Sequence, residues 1–213
     1  MHKLKSKEEI KVFAHKPPTD LQRKLIVDKI KTDYYNYYRF ICVLYGCTLR
    51  PKEITRLKVK HLVRSEQIFR IIPDKEEGNS KTSAQRDVVI PDWLMQMLND
   101  LNLQSCDPDW YIFSGKEGSK MFMPGKSRMH SNSPTRWWRN IVKIELGLDV
   151  TQYSLKKLAG NDMVKLQVAH GVQDLLELPK LQMGHSSKSI TEVYVDEHKK
   201  VLSQIVKTRM PTL

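Results

Sequence analysis

Four short stretches of this sequence carry residues that could do chemistry without help from a bound group. In GCTLRPKEI, Arg50 stands at a helix start and Glu53, three residues on, can hold its guanidinium. In NSKTSAQRDVVIP, Lys81 precedes Arg86 by five positions. In TQYSLKKLAG, Tyr153 and Lys156 lie about one helical turn apart and so share a face, with Lys157 beside them. In LQMGHSSKSITEVYVDEH, His185 follows a glycine and precedes two serines, and Tyr194 comes nine residues after it. Cations and hydroxyls of this kind suit a phosphodiester. Its negative oxygens repel a nucleophile, so attack needs positive donors where charge gathers on pentavalent phosphorus. A tyrosine oxygen can then form a covalent phosphate ester and keep the bond energy for a second transfer, without metal or nucleotide.

Taken singly, each stretch has an ordinary reading. An Arg-x-x-Glu is a surface ion pair, a lysine on a turn is solvated, and a Tyr/Lys pair on a helix is half-buried packing beside a wet face. His185 alone is a loop histidine, and Tyr194 a packing aromatic. The sequence has no HExxH, no Cys/His pair at zinc spacing and no glycine-rich phosphate loop, so no cofactor or metal is expected. Catalysis, if any, falls to side chains.

These residues need elements to position them. Lys16-Pro17-Pro18 leads to Thr19 or Asp20 as a helix cap, followed by Leu21, Leu25, Ile26 and Ile30 at helical spacing. A second helix is expected over Tyr34 to Tyr45, ended by Gly46, and Pro51 opens a short helix carrying Lys52 to Leu57. Two β-rich runs, Gln67 to Pro73 and Arg86 to Pro91, flank a polar stretch with Gly78-Asn79 and read as a hairpin with a long tip. Further helices are expected over Pro91 to Leu103, from Ser133-Pro134 to Gly147, over Thr151 to Val168 despite Gly160, over Asp174 to Gln182, and from Ser187 past Tyr194, with a last segment Glu197 to Val206. The apolar piece WYIF, Trp110 to Phe113, stands between them. The fold class is therefore α+β: mostly helical, with a small antiparallel sheet.

The chain has 213 residues, 40% of them hydrophobic and 28% charged, an ordinary globular composition for one domain. Its 36 Lys+Arg against 24 Asp+Glu leave a formal charge of +12, which points to polyanions as partners. Three cysteines without a CxxC pair fit a reducing cytosol better than a disulfide framework. The charged start MHKLKSKEEIKVF is no signal peptide, and no apolar run approaches the roughly 20 residues that span a bilayer, so a cytoplasmic protein without membrane contact is expected.

In order and spacing, Arg50-x-x-Glu53, the hairpin Lys81-Thr82-x-x-x-Arg86-x-Val88, Tyr153-x-Leu155-Lys156, Gly184-His185-Ser186-Ser187 and Tyr194 resemble the catalytic domain of tyrosine recombinases, the phage-integrase type. The resemblance spans about residues 20 to 200, and the GHSS segment with its tyrosine is the most specific part. It implies a DNA breaking-and-rejoining fold. It also implies roles: Arg50 and a second cation clamp the scissile phosphate, Lys81 protonates the leaving 5′ oxygen, His185 assists, and Tyr194 forms a 3′-phosphotyrosyl bond. Glu53 orients Arg50, while Arg86 and Lys157 contact DNA. The family's usual helix motif is His-x-x-Arg; here Tyr153 and Lys156 stand in those places and Lys157 where another His is common, as in a subset of mobile-element integrases. Gly46 lies further from Arg50 than in most relatives, which suggests a longer turn.

The resemblance implies double-stranded DNA as the partner, self-assembly into a synaptic tetramer, and integration or excision of a mobile element. Residues 1–18 are read as a leading segment, 19–207 as the catalytic core and 208–213 as a tail, with the N-terminal core-binding domain of longer relatives absent. Two rivals remain at this stage: a DNA-binding protein that keeps the fold without catalysis, and a type IB topoisomerase with the same chemistry.

Overall fold

A computed structural model describes residues 16–72, 85–115, 121–171, 178, 181–182 and 204–213. Thr19 caps helix α1 (Asp20–Asp33) with a reciprocal box, its hydroxyl accepting from the Gln22 N–H while the Gln22 side chain accepts from the Thr19 N–H. Ile26 and Ile30 are the residues that α1 buries. Helix α2 (Tyr35–Gly46) is buried from Tyr37 to its end, as its nearly unbroken apolar run requires. It is the central element, packing against α1, α4 (Asp92–Asn99) and α6 (Ser154–Ala169).

Gly46 closes α2 for a packing reason. A Cβ there would stand 3.1 Å from Leu94 Cδ2 and 3.2 Å from Trp93 Cζ2, so the glycine lets α4 approach. The left-handed step of the following turn falls instead on Thr48, at φ 51°. Helix α3 (Pro51–Ile54) then starts at Arg50 and ends sooner than the expected Leu57, because the chain turns to bring Lys58 alongside Tyr111.

The sheet has three antiparallel strands in the order β1 (Leu62–Val63), β2 (Ile68–Ile71), β3 (Arg86–Val89). The hairpin expected from sequence is β2–β3, with Phe69 opposite Val88 and Ile71 opposite Arg86. The two-residue β1 was not anticipated; a pair of residues gives no period to read. Helix α4 also stops short of the expected Leu103, because Asn102 turns left-handed at φ 48° and a 3-10 turn, Leu103–Ser105, follows.

From Ser133 the chain forms α5 (Ser133–Trp138), which widens into a π-helical segment, Arg139–Glu145, before Gly147 turns it at φ 65°. The Trp138 indole N–H donates to the Val150 carbonyl at 2.7 Å, and Gln152 joins the Tyr37 hydroxyl at 3.1 Å and Thr135 at 3.3 Å. These bonds pin the turn in front of α6, which begins at Ser154 and not at Thr151, since Thr151 and Gln152 serve the turn. Aromatic rings from Tyr37, Phe40, Phe113, Phe122 and Trp137 pack edge and face between α2 and the 121–130 segment.

Asp162 of α6 is buried. Its Oδ2 accepts from the Tyr45 hydroxyl at 2.5 Å and from Arg23 at 3.2 Å, and Arg23 also donates to the Thr212 carbonyl at 2.8 Å. One guanidinium thus ties α1, α2, α6 and residue 212 together. No helix among the described residues is long and apolar enough to cross a membrane.

Candidate active site

Arg50 is the residue before α3, and Glu53 is the third residue of its first turn. That spacing returns the Glu53 carboxylate to the helix start, where Oε2 accepts the Arg50 backbone N–H at 2.7 Å and Oε1 accepts Arg50 Nη1 at 3.2 Å. The expected pairing of the two is therefore present, with a backbone bond added. Arg50's side chain keeps 31% of its exposure, so its guanidinium is held but reachable.

Glu53 has a second cation. Arg86 Nη2 donates to the same Oε1 at 2.9 Å, and the Arg86 side chain is only 13% exposed. The alternation of β3 explains its direction: Arg86 and the fully buried Val88 share a face, while Asp87 lies on the other and pairs with Arg70 at 3.3 Å. Sequence reading treated Arg86 as a DNA contact; its inward direction was open to inference from the same i, i+2 relation to Val88, its place beside Glu53 was not. Burial pushes the Glu53 carboxyl up, but the Arg50 N–H and the two guanidiniums outweigh it and hold the group below the ordinary carboxylate range.

Lys156 arrives from the first turn of α6 and is buried, with 4% of its surface exposed. Its ammonium sits 5.8 Å from the centre of the Tyr153 ring. Burial lowers its pKa to about 8, with the Arg50 guanidinium and, more weakly, that of Arg86 pushing the same way and Glu53 opposing them. Tyr153 itself is 42% exposed and Lys157 is exposed. The structure thus gathers Arg50, Glu53, Arg86 and Lys156 into one charged cluster, with Tyr153 at its edge. Lys81, His185 and Tyr194 lie outside the described residues, as do the expected helix past Ser187 and most of Asp174 to Gln182.

One buried residue was not singled out from sequence. Gln182 is buried, and its amide donates to the Val89 carbonyl at 2.6 Å while its carbonyl accepts the Val89 N–H at 3.3 Å. It mimics a strand partner for β3. Nothing in the sequence marked it, because a glutamine at a helix end is ordinary. Among the described residues no group of three or more His, Cys, Asp or Glu gathers as a metal site would require.

Residues 19–200 match the phage integrase family. The chain belongs to that family. The solved structures agree in fold. XerA recombinase superposes with a TM-score of 0.57 at 18% identity, over 89% of this chain and 57% of that one. The integrase of mycobacterium phage Brujita gives 0.58 at 15%, over 88% and 58%. The integrase of transposon Tn1549, solved in complex with circular intermediate DNA, gives 0.55 at 15%, over 87% and 66%. The chain therefore spans under two thirds of the length of these relatives. No curated protein sequence matches it.

Proposed function

We propose that this chain is the catalytic part of a site-specific DNA recombinase that cleaves and rejoins strands through a 3′-phosphotyrosyl bond at Tyr194, in the integration or excision of a mobile element. The observation that carries the reading is the cluster of Arg50, Arg86 and Lys156 around one carboxylate. Among the described residues three cations with a single counter-charge leave a net positive centre, which a phosphate would balance. Family membership supplies the chemical setting, and the Tn1549 integrase bound to DNA supplies the precedent for the partner.

On this reading Arg50 grips two phosphate oxygens through its planar fork and Lys156 adds positive charge to the same group. Tyr194 attacks phosphorus, His185 takes part in its deprotonation, and Lys81 serves the leaving oxygen. Arg86 reaches the phosphate only through Glu53, which sets the angle of Arg50. Lys157 and the rest of the +12 surface track the duplex backbone. A synaptic tetramer on DNA completes the proposal.

The test uses the whole chain and a pool of randomised duplexes, each nicked so that the cleaved fragment diffuses away. A protein–DNA adduct surviving denaturation, present with the parent and lost with Tyr194→Phe while duplex binding persists, supports the reading. Binding without any adduct favours a non-catalytic DNA-binding protein. Relaxation of supercoiled DNA without site preference favours a topoisomerase.

A further inference from the structure

Among the described residues Lys156 differs from the other cations of the cluster in having no counter-charge of its own. The one carboxylate near it among the described residues, Glu53, is already engaged, with Oε2 on the Arg50 N–H and Oε1 on both Arg50 Nη1 and Arg86 Nη2. Among the described residues Lys156 makes no ion pair, and its charged neighbours are Arg50 and Glu53 from the start of α3 and Arg86 from β3. Its own stretch contributes Tyr153, whose ring lies 5.8 Å away, and Lys157, which is exposed. A guanidinium so placed would stay charged at any working pH, whereas an ammonium can give up its proton. Burial and two neighbouring positive charges favour that loss.

We infer that Lys156 is a general acid of strand cleavage, giving its proton to the 5′ oxygen as the strand breaks. This rests on the reading of Tyr194 as nucleophile. As the Tyr194 oxygen bonds to phosphorus, the bond from phosphorus to the 5′ oxygen breaks and its electron pair stays on that oxygen. A proton passes there from Lys156 Nζ, leaving a neutral amine and a free 5′ hydroxyl. The phenolic proton goes separately, to the imidazole expected at His185. In rejoining, the hydroxyl returns its proton to the amine. With the pKa lowered to about 8, Lys156 is protonated enough to act and acidic enough to release near neutrality. Arg50 then provides the fork, Lys156 the proton, and the expected role of Lys81 as sole acid is shared or displaced.

The experiment compares single-turnover cleavage of a duplex recovered from the adduct pool, made with either oxygen or sulfur at the 5′ bridge. A thiolate leaves without a proton. Lys156→Arg keeps the charge and loses the titrating group, so it should slow the oxygen substrate by about 100-fold and leave the sulfur substrate near the parent rate. Lys81→Arg runs beside it. In the parent, cleavage of the oxygen substrate should fall as pH rises above about 8 while the sulfur substrate shows no such fall, a readout that holds even if the arginine variant folds poorly. Equal slowing of both substrates by Lys156→Arg, no slowing of either, or sulfur rescue confined to Lys81→Arg overturns the proton-donor role. A parent that cleaves neither substrate overturns the recombinase reading itself, and this inference with it.

Discussion

Arg86 and Arg50 share one oxygen atom, Glu53 Oε1, at 2.9 and 3.2 Å. The first arginine comes from the hairpin and the second from the start of α3, so a single carboxylate joins the sheet to the helical layer at the point where the phosphate is expected. The atom count is tight: any loss at Glu53 frees two guanidiniums at once.

Glu53→Gln should therefore destabilise the fold by about 2–3 kcal/mol, because two partly buried cations lose their counter-charge, and should lower strand cleavage more than duplex affinity. Denaturant unfolding checks the first part. The sign with pH follows from the lowered Glu53 pKa: its contribution is whole above the ordinary carboxylate range and vanishes as pH falls through the depressed folded value. The gap between parent and variant should close in acid. A gap that is constant down to strongly acidic pH would remove the ion pairs as its cause.

Lys156→Met tests the buried ammonium without DNA. The folded pKa, about 8, lies below the ordinary 10.5, so the unfolded chain holds more protons between those values and stability rises with pH across that window. At neutral pH the parent bears the cost of a buried charge, and the methionine variant should be more stable by roughly 2–3 kcal/mol. That advantage should shrink from pH 8 to 10.5. A pH-independent difference would mean that packing alone separates the two.

Thr48 holds a β-branched side chain at φ 51°, fully buried, with its hydroxyl unpartnered. Glycine fits that backbone without strain, and alanine does not. Both substitutions remove the orphan hydroxyl, so their comparison isolates the backbone. Thr48→Gly should be more stable than Thr48→Ala by about 1 kcal/mol, read from thermal or denaturant midpoints. The reverse order would show that the site prefers a side chain to relief of strain.

Duplex affinity should fall steeply with salt. Contact with about six phosphates gives a log–log slope of roughly −5. A titration flat between low and physiological salt would mean that the +12 charge is not a DNA track.

Much of this was legible before any coordinates. Thr19 with Gln22, and Arg50 with Glu53, announce helix starts by spacing alone, and the two β-rich runs found each other as β2 and β3. Alternation carried the information on Arg86, yet it was read only as a positive charge near DNA. Where sequence reading failed, tertiary demands had overridden local pattern. Gly46 ends α2 as read, but it does so as a packing contact for α4, and the left-handed turn went to a threonine that propensity would never select. Lys156 could be named from its spacing to Tyr153, but its burial beside two guanidiniums depends on residues from α3 and β3 that are distant in the chain. Gln182 has no sequence mark at all, because side-chain mimicry of a strand depends on where Val89 comes to rest.

The π-helical segment makes motif spacing an unreliable ruler. There the Leu146 N–H reaches back to the Ile141 carbonyl at 3.0 Å, a loop one residue wider than the α-helical bond. A wide turn of this kind holds one residue of slack: deleting a position between Asn140 and Glu145 can restore ordinary winding and leave Trp138, Val150 and the start of α6 where they are. The same deletion two turns later, among Thr151, Gln152 and Tyr153, has no such reserve, since each of the first two is committed to a bond and the third holds its ring 5.8 Å from the Lys156 ammonium. Relatives can thus differ by a residue between Arg86 and Lys156 and still present the same site, so counting between motifs aligns them wrongly unless the gap is placed in that helix.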